Sequence, residues 1–192
     1  MEDSVLRAMA KWPGVADLYG WLALDRRGLW RLKGEPVTHP NSRVFINLNY
    51  QADRQGRWFF QNGPQRVFID LAYTPWILNR SEVGRWVTHT GAPVQRISSV
   101  WLDDEGSLLL ETERGIGLVK DSELVSLLED FSDERGRPLP PETLERETAK
   151  LEAGLKSRLH LRWGKILLPV RAVSRAAVPA RFCFQAHPRP KP

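Results

Sequence analysis

Asp25-Arg26-Arg27-Gly28-Leu29-Trp30 and Asp53-Arg54-Gln55-Gly56-Arg57-Trp58 are two copies of one turn. A third, Ser81-Glu82-Val83-Gly84-Arg85-Trp86, keeps the glycine and tryptophan without the acid. A fourth, Asp103-Asp104-Glu105-Gly106-Ser107-Leu108, keeps the acid and the glycine. From Gly28 to Gly56, Gly84 and Gly106 the spacing is 28, 28 and 22 residues. An Asp side chain can accept a hydrogen bond from the backbone two residues on, and a Gly supplies the positive φ that closes a tight hairpin. The tryptophan then opens a return strand.

A second turn signal follows each copy: Gly34-Glu35-Pro36, Gly63-Pro64, Gly91-Ala92-Pro93 and, without proline, Gly115-Ile116-Gly117. The residues before the first turn alternate at period two, as in Leu22 and Leu24, Trp76 and Leu78, and Val100 and Leu102. Each unit therefore reads as strand, D-x-x-G turn, strand, Gly/Pro turn. The expected fold is α+β and β-rich: repeated antiparallel β-hairpin units of about 28 residues with short helices, plus a C-terminal helix and β-hairpin.

Between the hairpins, Arg43–Tyr50 carries Val44, Phe45 and Leu48 at helical spacing behind an Asn41 or Ser42 cap. Residues 121–131 (DSELVSLLEDF) read as a helix capped by Asp121, with Leu124, Val125, Leu127 and Leu128 on its apolar face. The GRPLPP stretch (136–141) breaks the chain, and Pro141 opens a helix marked by Leu144, Leu151 and Leu155. Arg158–Trp163 alternates strictly and Gly164-Lys165 turns it into Ile166–Val170. The expected organisation is a hairpin domain over 1–137, with helices at the N-terminus and at 121–131. A helix–hairpin appendage over 138–183 and a disordered tail over 184–192 complete it.

Composition narrows the class. The 192 residues are 42% hydrophobic and 27% charged, enough for a real core. Eight tryptophans spread along the chain suit packing better than one aromatic platform. No apolar run approaches the roughly 18 residues that span a bilayer, and the start MEDSVLRAMAKW lacks the apolar stretch of a secretory signal. One cysteine, Cys183, precludes an internal disulfide framework, so a cytoplasmic location without membrane association is expected. Between two phenylalanines, Cys183 reads as a small buried hydrophobe. The net charge of +5 is uneven: residues 1–120 carry 15 Lys/Arg against 13 Asp/Glu, 121–157 carry 5 against 10, and 158–192 carry 8 against none.

LDRRGLWRLKGEPV, NYQADRQGRWFFQNGPQRVFIDL and the late VPARF resemble a proteobacterial family of unknown function over most of the chain, with WFFQNGPQRV the most specific stretch. More loosely, residues 20–120 are similar to another uncharacterised bacterial family, with a fold of repeated β motifs and a suggested role in signal transduction. That second likeness rests on turn chemistry. Neither resemblance implies catalytic residues.

Candidates for chemistry are few. The four histidines lack H-x-x-x-H, H-x-H or C-x-x-C spacing, so neither a metal nor a cofactor is expected. Gln61, Asn62, Gln65 and Arg66 cluster polar groups on one turn and could hold a small ligand; Asp70, a charge in an apolar strand, and His89 complete that set. Arg66 or Tyr73 is the expected partner of Asp70. Arg158, His160 and Arg162 share a strand face joined by Lys165 and Arg171, a candidate contact for nucleic acid or a protein partner, or for the acidic stretch before it. The leading reading is a non-enzymatic binding or regulatory module for a protein or small ligand, with oligomerisation open. Nucleic-acid binding through residues 158–181 is the alternative. An enzyme using Asp70, His89 and Arg66 is the third, and it requires those three to converge.

Overall fold

The D-x-x-G turns form as their chemistry dictates. In the computed structural model, which describes Arg7 and residues 15–190, Asp53 accepts the backbone N–H groups of Gln55 and Arg57 at 2.9 and 3.0 Å. The Gly56 N–H closes on the Asp53 carbonyl at 3.1 Å, and Gly56 has φ +72°. Asp25 and Asp103 make the same pair of side-chain bonds. At Ser81 the hydroxyl oxygen accepts the Arg85 N–H at 3.2 Å.

A fifth copy lies where the sequence reads as a chain break. Asp133-Glu134-Arg135-Gly136-Arg137 repeats the Asp53 turn bond for bond, with Arg137 gripping Asp133 as Arg57 grips Asp53. In both, the guanidinium lies 2.7 Å from the carboxylate. The prolines that follow end the short return segment at an isolated bridge, Ser132 to Pro138, instead of ending the repeat.

The fold is α+β and β-rich, with two mixed sheets and four short helices among the described residues. The chain divides into two units: one up to Pro75 with His89–Gly91 and Phe182 onward, the other Trp76–Thr88 with Ala92–Arg181.

The first unit holds a six-stranded sheet in the order β3-β2-β1-β6-β5-β4. β1 (Leu18–Leu24), β2 (Trp30–Leu32) and β3 (Glu35–Pro36) form one antiparallel meander. Helix α1 (Pro40–Leu48) leads into the second, β4 (Tyr50–Ala52), β5 (Trp58–Asn62) and β6 (Gln65–Leu71). β1 and β6 pair in parallel, a seam that joins the first strand of one meander to the last strand of the next. Leu22, Leu24, Trp30, Ile69 and Leu71 are buried along it.

The second unit repeats the device. β7 (Trp76–Arg80) and β8 (Trp86–Thr88) form a hairpin; β9 (Ile97–Asp103), β10 (Leu108–Thr112) and β11 (Gly115–Val119) form a meander; β7 and β11 pair in parallel. Helix α2 (Asp121–Leu127) precedes β12 (Phe131–Ser132). Helix α3 (Pro141–Glu152) precedes β13 (His160–Trp163) and β14 (Ile166–Val173), and α4 (Val178–Arg181) follows. β14 runs parallel to β9, completing the order β12-β13-β14-β9-β10-β11-β7-β8. The near-continuous burial of Val100–Leu102 and Leu108–Leu110 shows these strands covered on both faces. α3 packs on β9 and β14.

Local details depart from the sequence reading. α1 begins at Pro40 after His39, without a side-chain cap, and buries Ile46 while Val44 and Leu48 stay exposed. α2 is preceded by Lys120 as cap, with Asp121 already in its first turn, and gives way to a 3-10 turn at Leu128–Asp130. Leu127 is buried there, but Val125 and Leu128 are exposed. Cys183 is exposed and adopts φ +55°, so it is not a core residue. Residues 184–190, the described part of the tail expected to lack structure, lie along the first sheet instead: Gln185 bridges Arg57, the Leu71 amide donates to Ala186 at 2.8 Å, and Phe184 and Pro188 are buried. Two apolar side chains in a short stretch are enough to hold it down. The expected N-terminal helix falls, Arg7 apart, outside the described residues.

Candidate functional site

Gln61-Asn62-Gly63-Pro64-Gln65 forms the β5–β6 turn. Gln61 is buried and spends its amide inside the turn, donating to the Gly63 and Gln65 carbonyls at 2.7 and 3.3 Å. Asn62 is exposed, and Gln65 donates to the Ala16 carbonyl at 3.0 Å. Both line one end of a groove of about 460 Å³ on the first sheet.

The groove is lined by β1 on one side and α1 on the other. β1 carries a bulge: Leu18 pairs with Val67 but Leu22 with Ile69, so four residues of β1 span two of β6. Gly20, at φ +71°, makes the kink possible. It leaves Trp21 43% exposed, with the Lys33 ammonium 3.8 Å from its ring centre and the Lys33 amide 2.7 Å from its carbonyl. On the other side α1 rests on β5, the Phe45 ring edge-on to Phe60 at 5.4 Å. Between them lie Leu18, Leu22, Leu32, Val37, Ile46 and Val67, with Ser42 the remaining polar group. Leu32 is 49% exposed. Such walls can hold an apolar body, and the amides at the end can orient a polar head.

The other expected ligand residues lie elsewhere. Arg66 sits 5.4 Å over the Phe59 ring. Asp70 pairs with Arg189 at 3.0 Å and His187 at 3.3 Å, not with Arg66 or Tyr73. By strand alternation Arg66 and Asp70 point away from the Val67 face, whereas His89 packs edge-on to Trp30 and Tyr50, which share that face. Arg66, Asp70 and His89 therefore do not converge. Tyr50 donates to the Pro75 carbonyl at 2.8 Å, and burial pushes its hydroxyl well above the usual acidity range. Among the described residues no cluster of three His, Cys, Asp or Glu side chains could hold a metal ion.

In the second unit, Leu159 and Leu161 are buried and Arg158, His160 and Arg162 alternate with them. Arg158 and His160 line a groove beside α3; Arg162 lines a separate depression with Trp86 and Trp163. Lys165 is exposed in the β13–β14 turn, and Arg171 lies 5.5 Å over the Trp101 ring, which it shares with Arg181 at 4.0 Å. Of the basic segment, Arg158 pairs into the acidic stretch at Glu147, whereas Arg175 meets Asp104 and Glu105. No helix among the described residues is long and apolar enough to cross a membrane.

Turn-built meanders joined by parallel seams define a β-rich α+β scaffold with an apolar groove on its first sheet. The chain belongs to the DUF2944 family, described as "Protein of unknown function (DUF2946)", whose match spans residues 1–189. It is similar in fold to a DUF1285 family protein from Silicibacter pomeroyi DSS-3, with TM-score 0.53 and 13% identity over 90% of this chain and 97% of that one. A DUF1285 family protein from Shewanella baltica OS155 aligns at TM-score 0.42 and 15% identity, over 55% of this chain and 88% of that one. No curated protein matches the chain.

Proposed function

We propose that the protein is a non-enzymatic binding module whose first unit holds an elongated apolar small molecule by its hydrocarbon body and polar end. The observation that carries this reading is the groove itself. Trp21, within the β1 bulge, and Leu32, at the end of β2, remain half exposed, and Asn62 and Gln65 close one end with amides. A volume of about 460 Å³ lies within the range of small-molecule sites. The exposed, unpaired Cys183 suits a reducing compartment such as the cytoplasm.

The test is a fluorescence titration with an anilinonaphthalene sulfonate dye, followed by displacement with dodecanoate. Saturable one-to-one binding, weakened about tenfold or more by Leu32→Glu or Trp21→Ser, supports the reading. Val83→Ser, at an exposed valine on the Ser81 turn, should leave the affinity unchanged. Dye binding that ignores the groove substitutions would overturn it.

A further inference from the structure

The groove beside α3 is built around a buried acid. Glu147 shares a helix face with Leu144 and Leu151, a position that would ordinarily take an apolar residue, and is 1% exposed. A carboxylate there is tolerable only when fully engaged. Lys150 Nζ lies 2.8 Å from one oxygen; the Ser157 hydroxyl at 2.9 Å and the Arg158 amide at 3.1 Å hold the other. The Arg158 guanidinium Nε approaches the first oxygen at 3.6 Å. Glu147 thus fixes an ammonium and a guanidinium on the floor of a groove of about 600 Å³.

Two further basic side chains line this groove. Arg146 and Lys156 line the same groove, are exposed, and reach no carboxylate among the described residues. His160 Nδ1 lies 2.9 Å from the Arg158 carbonyl; with the proton on Nδ1 donated there, Nε2 is left for the groove. Against these four basic side chains, Arg146, Lys150, Lys156 and Arg158, the groove is lined by two acids, Glu147, already engaged, and Glu134. Cations gathered this closely repel one another, and a multivalent anion relieves that repulsion while offering acceptors to a planar guanidinium and to ammonium groups.

We propose that this groove binds a compact phosphate-bearing anion, a small phosphoester or a pyrophosphate. Compactness follows from where the other basic residues lie. Arg162, Lys165 and Arg171 occupy a separate depression, a turn and the Trp101 ring, whereas a polynucleotide needs a continuous row of phosphate contacts.

The test is isothermal titration of the full chain with pyrophosphate at about 150 mM salt, beside sulfate and a single-stranded DNA of about 12 nucleotides. Saturable one-to-one binding of pyrophosphate is expected, weakened about tenfold by Arg146→Ala or Lys156→Ala and strengthened about threefold by Glu134→Gln. Arg162→Ala and Arg171→Ala should have no effect. Both groove substitutions remove exposed side chains without a carboxylate partner, so unfolding midpoints should match the parent and loss of binding cannot be loss of fold. Absence of saturable heat, or indifference to the groove substitutions, overturns the proposal. So does DNA binding tighter than pyrophosphate binding that falls with Arg162→Ala and Arg171→Ala, the signature of a polynucleotide surface.

Discussion

Arg158 meets Glu147 twice: its backbone N–H lies 3.1 Å from one carboxylate oxygen and its guanidinium Nε 3.6 Å from the other. With the Lys150 ammonium as the largest influence, and the Arg158 amide and Ser157 hydroxyl assisting against burial, Glu147 is held at about 2, well below its ordinary 4.5. Asp133 is likewise lowered from 3.8 to about 2, chiefly by the Arg137 amide and guanidinium. Carboxyls more acidic in the folded chain stabilise it above their ordinary values, and that contribution is lost as pH falls towards the folded values. Urea midpoints should therefore drop between about pH 4.5 and 2, and Glu147→Gln should be less stable at neutral pH with a shallower acid slope. An equal slope in parent and variant would refute this linkage.

Gly56 and Gly84 occupy equivalent turns with φ +72° and +75°, yet their surroundings differ. A Cβ on Gly84 meets nothing within 4 Å, whereas one on Gly56 would collide with the Cys183 carbonyl and lie 2.9 Å from the Phe184 Cα. Gly84→Ala should cost about 1 kcal/mol of backbone strain. Gly56→Ala should cost about 3 kcal/mol and speed hydrogen exchange at the Gln185 amide, which donates to the Gly56 carbonyl at 2.9 Å. Equal costs would mean that the terminal segment does not press on this turn.

The acid in the D-x-x-G turn can be graded. Asp53→Asn keeps an oxygen for the Gln55 and Arg57 amides but loses the charge and the acceptor facing the Arg57 guanidinium, so about 1 kcal/mol is expected, against about 2 kcal/mol for Asp53→Ala. Partial burial opposes the Asp53 charge, but those amides and the Arg57 guanidinium outweigh it and keep the carboxyl below its usual range. Ser81→Asp should gain about 0.5 kcal/mol by accepting the Val83 amide in addition to the Arg85 amide that Ser81 already holds. Chemical denaturation of the three variants reads the order directly.

Phe184 is 6% exposed, so Phe184→Ala should cost about 3 kcal/mol, far more than truncating a solvated tail. The neighbouring Cys183 is exposed and should react with a thiol reagent in the native state without denaturant. A thiol that reacts only after unfolding, with little stability lost in Phe184→Ala, would contradict the placement of this segment.

Turn chemistry was the legible part of the sequence, because an Asx turn with a positive-φ glycine is specified by residues within five positions. Asp133-x-x-Gly136-Arg137 carries the same signal as the Asp53 copy, but the prolines after it read as a terminator. The parallel seams were not legible, since the pairing of Leu22 with Ile69 depends on which buried faces meet and not on any local residue. Helix faces misled for a related reason: over the nine residues of α1 several apolar stripes fit, and the sheet selected Ile46 over Val44 and Leu48. Of the polar turn, Asn62 and Gln65 reach the groove, but its walls depend on a bulge at Gly20 that only the register reveals. The Glu147 cluster was hidden because an acid in a charged helix looks solvated until its helix is docked. Asp70 was legible as a residue needing a partner, while His187 and Arg189 sit in a stretch too rich in proline to suggest order.

The seams also set a timetable for the nascent chain. Leu22 must wait for Ile69, 47 positions later, and Val100 must wait for Val170, 70 positions later. At about 5–20 residues per second, β1 and β9 each leave the ribosome with one edge unsatisfied for seconds, while every hairpin beside them can close within microseconds. The interval during which this protein is most open to pairing with the wrong strand is thus set by translation speed, and slowing synthesis between positions 100 and 170 would lengthen it.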